Sequence, residues 1–264
     1  STIVNDTETL PDLYQKMENK KRIPPRMILN RIPDMMASHI ATQYQFMGTT
    51  TAMSSACASG IVSLDYAMRL LDEYDYVVVG AGDAGCNPVS IKCFHAMGAM
   101  GNVSRPFDVN REGFVMGDGA AVLILQSERM VQKYNSRVYA TLYPAGITND
   151  AYDETSPAPD GRGAHMAIDK AMQSVTGPIH AISAHATSTP IGDGIEYEAV
   201  VAHFNDTPIY APKSKIGHTM AGSGIIETVY AIESMRQGIV PHIQNLETTD
   251  IDRLNCLART NIVM

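Results

Sequence analysis

The chain has 264 residues, enough for one large domain or two closely fused ones with a sizeable buried core. With 45% hydrophobic and 18% charged residues it sits among ordinary soluble globular proteins. Its formal charge of −8 comes without a run of Lys or Arg, so neither nucleic acid nor an anionic membrane is an expected partner.

The opening STIVNDTETL has neither a basic stretch nor an apolar one, and nothing in the chain approaches the length of a membrane span; a cytoplasmic protein is expected. After a polar, charged start, apolar residues recur at helical spacing beyond Pro33 and predict a helix ending at Gly48. TTTAMSSA (49–56) is β-branched and small and predicts a strand. Cys57 follows it, at the start of the amphipathic pattern ACASGIVSLDYAMRLLDEYD.

YVVVGAGDA (76–84) is a continuous apolar run expected in a central sheet, and 114–126 and 138–147 predict two further strands, with GNVSRPFDVNREG as a loop. The second half repeats the pattern. A helix is expected near 161–174, a strand at 178–186, a helix from about Asp193, a short strand PIYAP, then KSKIGH and the helix AGSGIIETVYAIESMRQG. Strands alternating with helices predict an α/β layered fold. GAGDAG and GFVMGDGAA lack the spacing of phosphate-binding loops and read as tight turns.

Four cysteines, Cys57, Cys86, Cys93 and Cys256, show no CxxC spacing, so neither zinc nor a disulfide framework is expected. A helix N-terminus depresses a thiol's pKa, which makes Cys57 the candidate nucleophile; the alternative is a cysteine merely packed in a small-residue turn. His185 closes an apolar strand and His218 closes KSKIGH, both at the strand-loop-helix junctions where α/β proteins build sites. Lys213, five residues before His218, and Glu227, nine after it, could pair and orient that loop, or be solvated surface charges.

SSACASG, SRPFDVNREGFVMGDGAAVLIL, HATSTPIGD and KSKIGHTMAGSGIIE, in this order and spacing, resemble the elongating β-ketoacyl-acyl-carrier-protein synthases, over residues from about 20 to about 250. The resemblance implies a thiolase-like five-layered α-β-α-β-α sandwich, incomplete at both ends, with one half in 1–135 and the other in 136–264. It implies Cys57 as acyl-accepting nucleophile, His185 and His218 as donors to the enolate, Lys213 and Glu227 as their support, and Thr187 and Thr189 as holders of the phosphopantetheine arm.

No metal or redox cofactor is implied. The implied partners are an acyl carrier protein, met by a basic patch of Lys20, Lys21, Arg22 and Arg26, and a second copy of the chain. In that homodimer TTTAMSSA pairs across the two-fold axis, and Met27 or Ile28 reaches the partner's acyl pocket. The family's terminal loop, which supplies an oxyanion donor and a gating Phe, is not among these residues; a minimal enzyme, a chain completed by a second polypeptide and a fragment all fit. Two other classes fit the residues: a scaffold or chain-length-factor-like subunit, and a thioester hydrolase or acyltransferase.

Overall fold

The structure, a computed structural model, describes residues 10–19, 21–22, 32–252 and 255–263, which fall into two compact units, Ser1–Met53 and Ser54–Met264. The first unit carries helices α1 (Leu10–Glu18) and α2 (Met35–Tyr44). The polar opening thus contains a helix the apolar pattern did not announce. The predicted helix after Pro33 forms but stops before Gly48, because Gln45 turns left-handed (φ 56°) and its N–H closes on the Ala41 carbonyl. Lys20, Arg26, Met27 and Ile28 lie outside the described residues.

Residues 49–54 form no strand, contrary to expectation; Ser55 and Cys57 make only an isolated bridge. β-branching favours an extended backbone, but a strand exists only where a neighbour completes its hydrogen-bond ladder, and no strand among the described residues pairs with this segment.

In the second unit, α3 (Ser59–Leu70) leads to β1 (Tyr76–Asp83), α4 (Pro88–Ala96), β2 (Gly119–Gln126) and α5 (Glu128–Tyr134). β1 and β2 pair antiparallel, from Tyr76 opposite Gln126 to Asp83 opposite Gly119. The expectation that β1 is buried on both faces fails: Val79 faces a core, whereas Val78 is 37% exposed and Ile124 of β2 71%. Helices cover one face of the pair, so its side chains alternate. α4 carries its own start signal, Asn87 capping the Val89 and Ser90 N–H groups ahead of Pro88.

Next come α6 (Arg162–Met172), β3 (Ile182–Ser183), α7 (Gly192–His203), β4 (Ile209–Tyr210), α8 (Lys213–Ile216), a 3-10 turn (Met220–Gly222), α9 (Ser223–Gln237), β5 (Ile239–Val240) and β6 (Ile262–Val263). β3 and β4 are parallel, β5 and β6 antiparallel. The fold is mixed α/β as expected, though the strand predicted at 138–147 is coil and that at 178–186 shrinks to two residues. No helix among the described residues is long and apolar enough to cross a membrane.

Two cores organise this unit. Leu64 and Ala67 of α3 meet Val79, Leu125 and Ile225 of α9; Tyr197, Val200 and Val201 of α7 meet Ile209, Tyr210, Val240, Ile243 and Leu257. The first core positions the site. α3 and α9 approach so closely that a Cβ on Gly60 would stand 2.8 Å from the Ile225 nitrogen, and one on Gly224 2.7 Å from that of Ile61. Only glycines permit this contact, and it brings the beginnings of the two helices together.

Candidate active site

Cys57 lies in the turn that opens α3. Ala56 before it is left-handed (φ 47°), and Ser59 closes the turn by donating from Oγ to the Ala56 carbonyl (2.6 Å) while accepting the Ser55 N–H (2.8 Å). The expected depression of the Cys57 pKa is not found. Burial raises it, outweighing the Lys213 charge and the backbone N–H of Cys57 itself. The resting group is a thiol, and its Sγ lies 3.0 Å from His218 Nε2.

His218 is pinned by its backbone, its N–H donating to the Val115 carbonyl (2.7 Å) and its carbonyl accepting from Gly117 (3.0 Å). Its Nδ1 lies 3.0 Å from Ser223 Oγ at the start of α9, and the edge of Phe114 packs against the ring, centroids 5.4 Å apart. Burial, helped by the Lys213 charge, pushes its imidazolium down to about 3. His218 is therefore a neutral imidazole at physiological pH.

His185 follows β3, and Glu196 of α7 fixes its backbone: one carboxylate oxygen accepts the His185 N–H (2.6 Å), the other that of Ala186 (2.7 Å). His185 is exposed as a residue, yet burial of its imidazole, then the Lys213 charge and the neighbouring His218, hold its imidazolium well below the usual range. Lys213, 1% exposed, reaches His185 Nδ1 (3.3 Å) and Glu227 Oε1 (2.5 Å). A lysine ammonium only donates, so Nδ1 must accept and the His185 proton sits on Nε2. The two imidazoles stand edge to face, centroids 5.4 Å apart at 90°.

Thr187 and Thr189 share the loop after His185, their hydroxyls 3.1 Å apart. Asp193 of α7 holds this loop to SRPFD, accepting the N–H groups of Thr189 (3.3 Å) and Phe107 (2.8 Å), while Ser188 Oγ accepts that of Arg105 (3.1 Å). Burial raises the Asp193 carboxyl to about 7 despite those donors. The structure thus gathers Cys57, His185, His218, Lys213 and Glu227 into two short hydrogen-bonded chains that meet at the paired imidazoles.

Two family models match, "Beta-ketoacyl synthase, N-terminal domain" over residues 2–130 and "Beta-ketoacyl synthase, C-terminal domain" over residues 139–247. The chain belongs to the β-ketoacyl synthase family. It is 30% identical over 251 residues to the putative mitochondrial 3-oxoacyl-[acyl-carrier-protein] synthase of Schizosaccharomyces pombe, covering 88% of this chain and 59% of that protein. To the chloroplastic synthase II of Arabidopsis thaliana it is 34% identical over 245 residues, with 87% and 45% covered.

Among solved structures, a type II polyketide acyl-carrier protein in complex with its ketosynthase superposes with TM-score 0.85 at 26% identity, covering 94% of this chain and 66% of that one. The ishigamide ketosynthase/chain length factor gives 0.86 at 25%, covering 95% and 64%. These likenesses give the chain the thiolase-like ketosynthase fold that its motifs implied. The chain spans about half to two thirds of the length of these relatives.

Within this site, sequence reasoning passed over Ser223, Phe114, Glu196 and Asp193. All four lie inside the stretches that carry the family resemblance or just beyond them, but a Ser inside AGSG and a Glu on a helix have no local signature. Their roles come from which loop each one faces.

Proposed function

We propose that this ketosynthase-family chain catalyses decarboxylative condensation of an acyl thioester with a malonyl thioester, both on acyl carrier protein, in fatty acid or polyketide synthesis. The observation that carries this is the joined pair of chains, Cys57 to His218 and His185 to Lys213 to Glu227, set around two facing neutral imidazoles.

In acyl transfer the Cys57 thiol gives its proton to His218 Nε2 as sulfur attacks the thioester carbonyl, and the leaving thiolate takes that proton back. In condensation the malonyl C–C bond breaks, CO₂ departs, and the electron pair is held as an enolate whose oxygen receives N–H donors from His185 and His218. The enolate carbon then attacks the Cys57 thioester and expels the Cys57 thiolate, which takes up one proton from solvent. Neutral rings suit this task, since they donate without trapping the enolate as a stable ion pair. Thr187 and Thr189 hold the phosphopantetheine arm.

The carrier protein, an acidic partner, is proposed to meet Lys20, Lys21, Arg22 and Arg26; Lys21 and Arg22 are exposed. A homodimer is proposed through 49–56, whose residues are mostly exposed. The division into halves 1–135 and 136–264 has support in the meeting of the two family models between 130 and 139. Placement in the cytoplasm is likewise a proposal; the relatives' names place them in mitochondria and chloroplasts.

The test is product analysis with acyl- and malonyl-carrier protein. The proposal expects β-ketoacyl-carrier protein and CO₂ in equal amounts; free acid without CO₂ would mean a thioester hydrolase, and no product a scaffold subunit. Replacing His185 or His218 by Ala should cost on the order of 10²–10³ in condensation rate.

A further inference from the structure

The loop that carries Thr187 and Thr189 bends where bending is costly. Ala186 (φ 31°) and Ser188 (φ 69°) both have left-handed backbones, which residues bearing a Cβ adopt only where their surroundings impose it. The first bend is held from α7, whose Glu196 accepts the His185 and Ala186 N–H groups. The second is held largely from another part of the chain. The Arg105 N–H donates to Ser188 Oγ (3.1 Å) and Arg111 Nη2 donates to the Pro190 carbonyl (3.0 Å), while Asp193 accepts the Thr189 N–H (3.3 Å).

Arg111 is itself braced. Its side chain is 8% exposed, and Nη1 donates to the Asp108 carbonyl (2.8 Å) and to Asp250 Oδ1 (3.1 Å). Asp108 Oδ2 in turn accepts the N–H groups of Glu247 (2.9 Å) and Thr248 (3.0 Å). The guanidinium is thus fixed between 105–111 and 247–250 and points its second nitrogen at the threonine loop. The Asp250 side chain is 54% exposed, so this ion pair orients the guanidinium more than it stabilises the fold. A rigid fork is needed here, because three acceptors lie in fixed directions; the ammonium of a lysine is a single point on a flexible stem.

We propose that Arg111 is a positioning residue, which sets the Thr187 and Thr189 hydroxyls for the phosphopantetheine arm by holding the Pro190 carbonyl. This rests on the reading that these threonines hold the arm. Glu196 fixes the His185 end of the loop separately, so losing Arg111 loosens the arm's grip more than the placement of the imidazole.

The experiment measures acylation of Cys57 by an acyl-carrier protein and by a plain alkyl thioester of the same acid, which has no arm to hold. The proteins are wild type, Arg111→Met, Arg111→Lys, the Thr187→Val/Thr189→Val variant, and that variant with Arg111→Lys added, each checked by urea unfolding. Each Arg111 single variant should lower kcat/KM for the carrier-borne substrate about tenfold more than for the alkyl thioester, the effect of one hydrogen bond to the arm. The threonine variant should lose the same preference, and adding Arg111→Lys to it should lower the preference no further.

If Arg111→Met does not fold, Arg111→Lys, which keeps the charge beside Asp250, decides alone. Wild-type preference in Arg111→Lys would overturn the proposal, since charge without the fork would then suffice. So would a loss that adds in full to that of the threonine variant, or an Arg111→Lys protein that does not fold, because either makes Arg111 a support of the fold at large. Unaltered preference in the threonine variant removes the arm-holding reading and this inference with it. If the preferences shift as expected but no CO₂ is released from malonyl-carrier protein, the condensation reading fails while the role of Arg111 stands.

Discussion

Lys213→Met keeps the length of an apolar stem and deletes one charge from the best-enclosed ion pair in the site. Lys213 is 1% exposed and the Glu227 side chain 13%, and the 2.5 Å contact between them is backed by the 3.3 Å contact to His185. Removing one partner of a buried pair costs about 3–5 kcal/mol, because the other charge is left without compensation. Burial already pushes the Glu227 carboxyl up, with Lys213 opposing that push, so without the lysine it rises further.

A carboxyl whose folded pKa lies above its unfolded value adds stability below the unfolded value, near 4.5, and loses it as pH rises through the folded one. The damage from Lys213→Met is therefore expected to be small near pH 4.5 and to grow toward pH 8. Urea unfolding of the wild type, Lys213→Met, Glu227→Gln and the double variant at both pH values measures this. The double variant should recover much of the loss at pH 8. A loss under about 1 kcal/mol at pH 8, or one independent of pH with no coupling between the sites, would refute the assignment of a stabilising buried pair.

Three further outcomes follow from the same geometry. Because burial raises the Cys57 thiol while Cys93 is exposed, brief alkylation at neutral pH should label Cys93 at least as fast as Cys57, whereas an acyl thioester should modify Cys57 alone; peptide mapping after each reagent decides this. His218, about 3 when folded against 6.5 unfolded, withdraws stability as pH falls from about 6.5 to 3, while Asp193, about 7 against 3.8, adds stability as pH falls from about 7 to 4. His218→Gln should thus gain on the wild type by about 1.4 kcal/mol per pH unit between about pH 6.5 and 4, and parallel curves would deny the depressed imidazole. Gly224→Ala inserts a methyl 2.7 Å from the Ile61 nitrogen, so it should cost about 1–3 kcal/mol in thermal unfolding and slow acylation of Cys57 by displacing it from His218; full-rate acylation would show that the helix crossing does not set that distance.

The helices were the readable part of this fold, since α2, α3, α6, α7 and α9 each present their pattern over at least ten residues and tertiary contacts only trim their ends. The strands were less readable. Residues 49–54 and 138–147 have the composition of strands and no partner strand among the described residues, and pairing is a long-range property that a local window does not contain. Cys57, His185 and His218 were legible as junction residues, yet the thiol's raised pKa was not. The helix N-terminus favours the thiolate, but burial disfavours it more, and burial depends on what packs around the turn. Ser223 was invisible for the same reason: its importance lies in facing Nδ1 of a ring five residues away around a turn.

The most direct test of the account follows one acyl group through the site. The chain is charged with a labelled acyl thioester, the modified peptide is identified by mass, and malonyl-carrier protein is then added while CO₂ is counted. The account predicts the label on Cys57 and, on addition of malonyl-carrier protein, its transfer into a β-ketoacyl product with one CO₂ released per acyl group. Label on Cys86, Cys93 or Cys256, or discharge of Cys57 to free acid without CO₂, would contradict it.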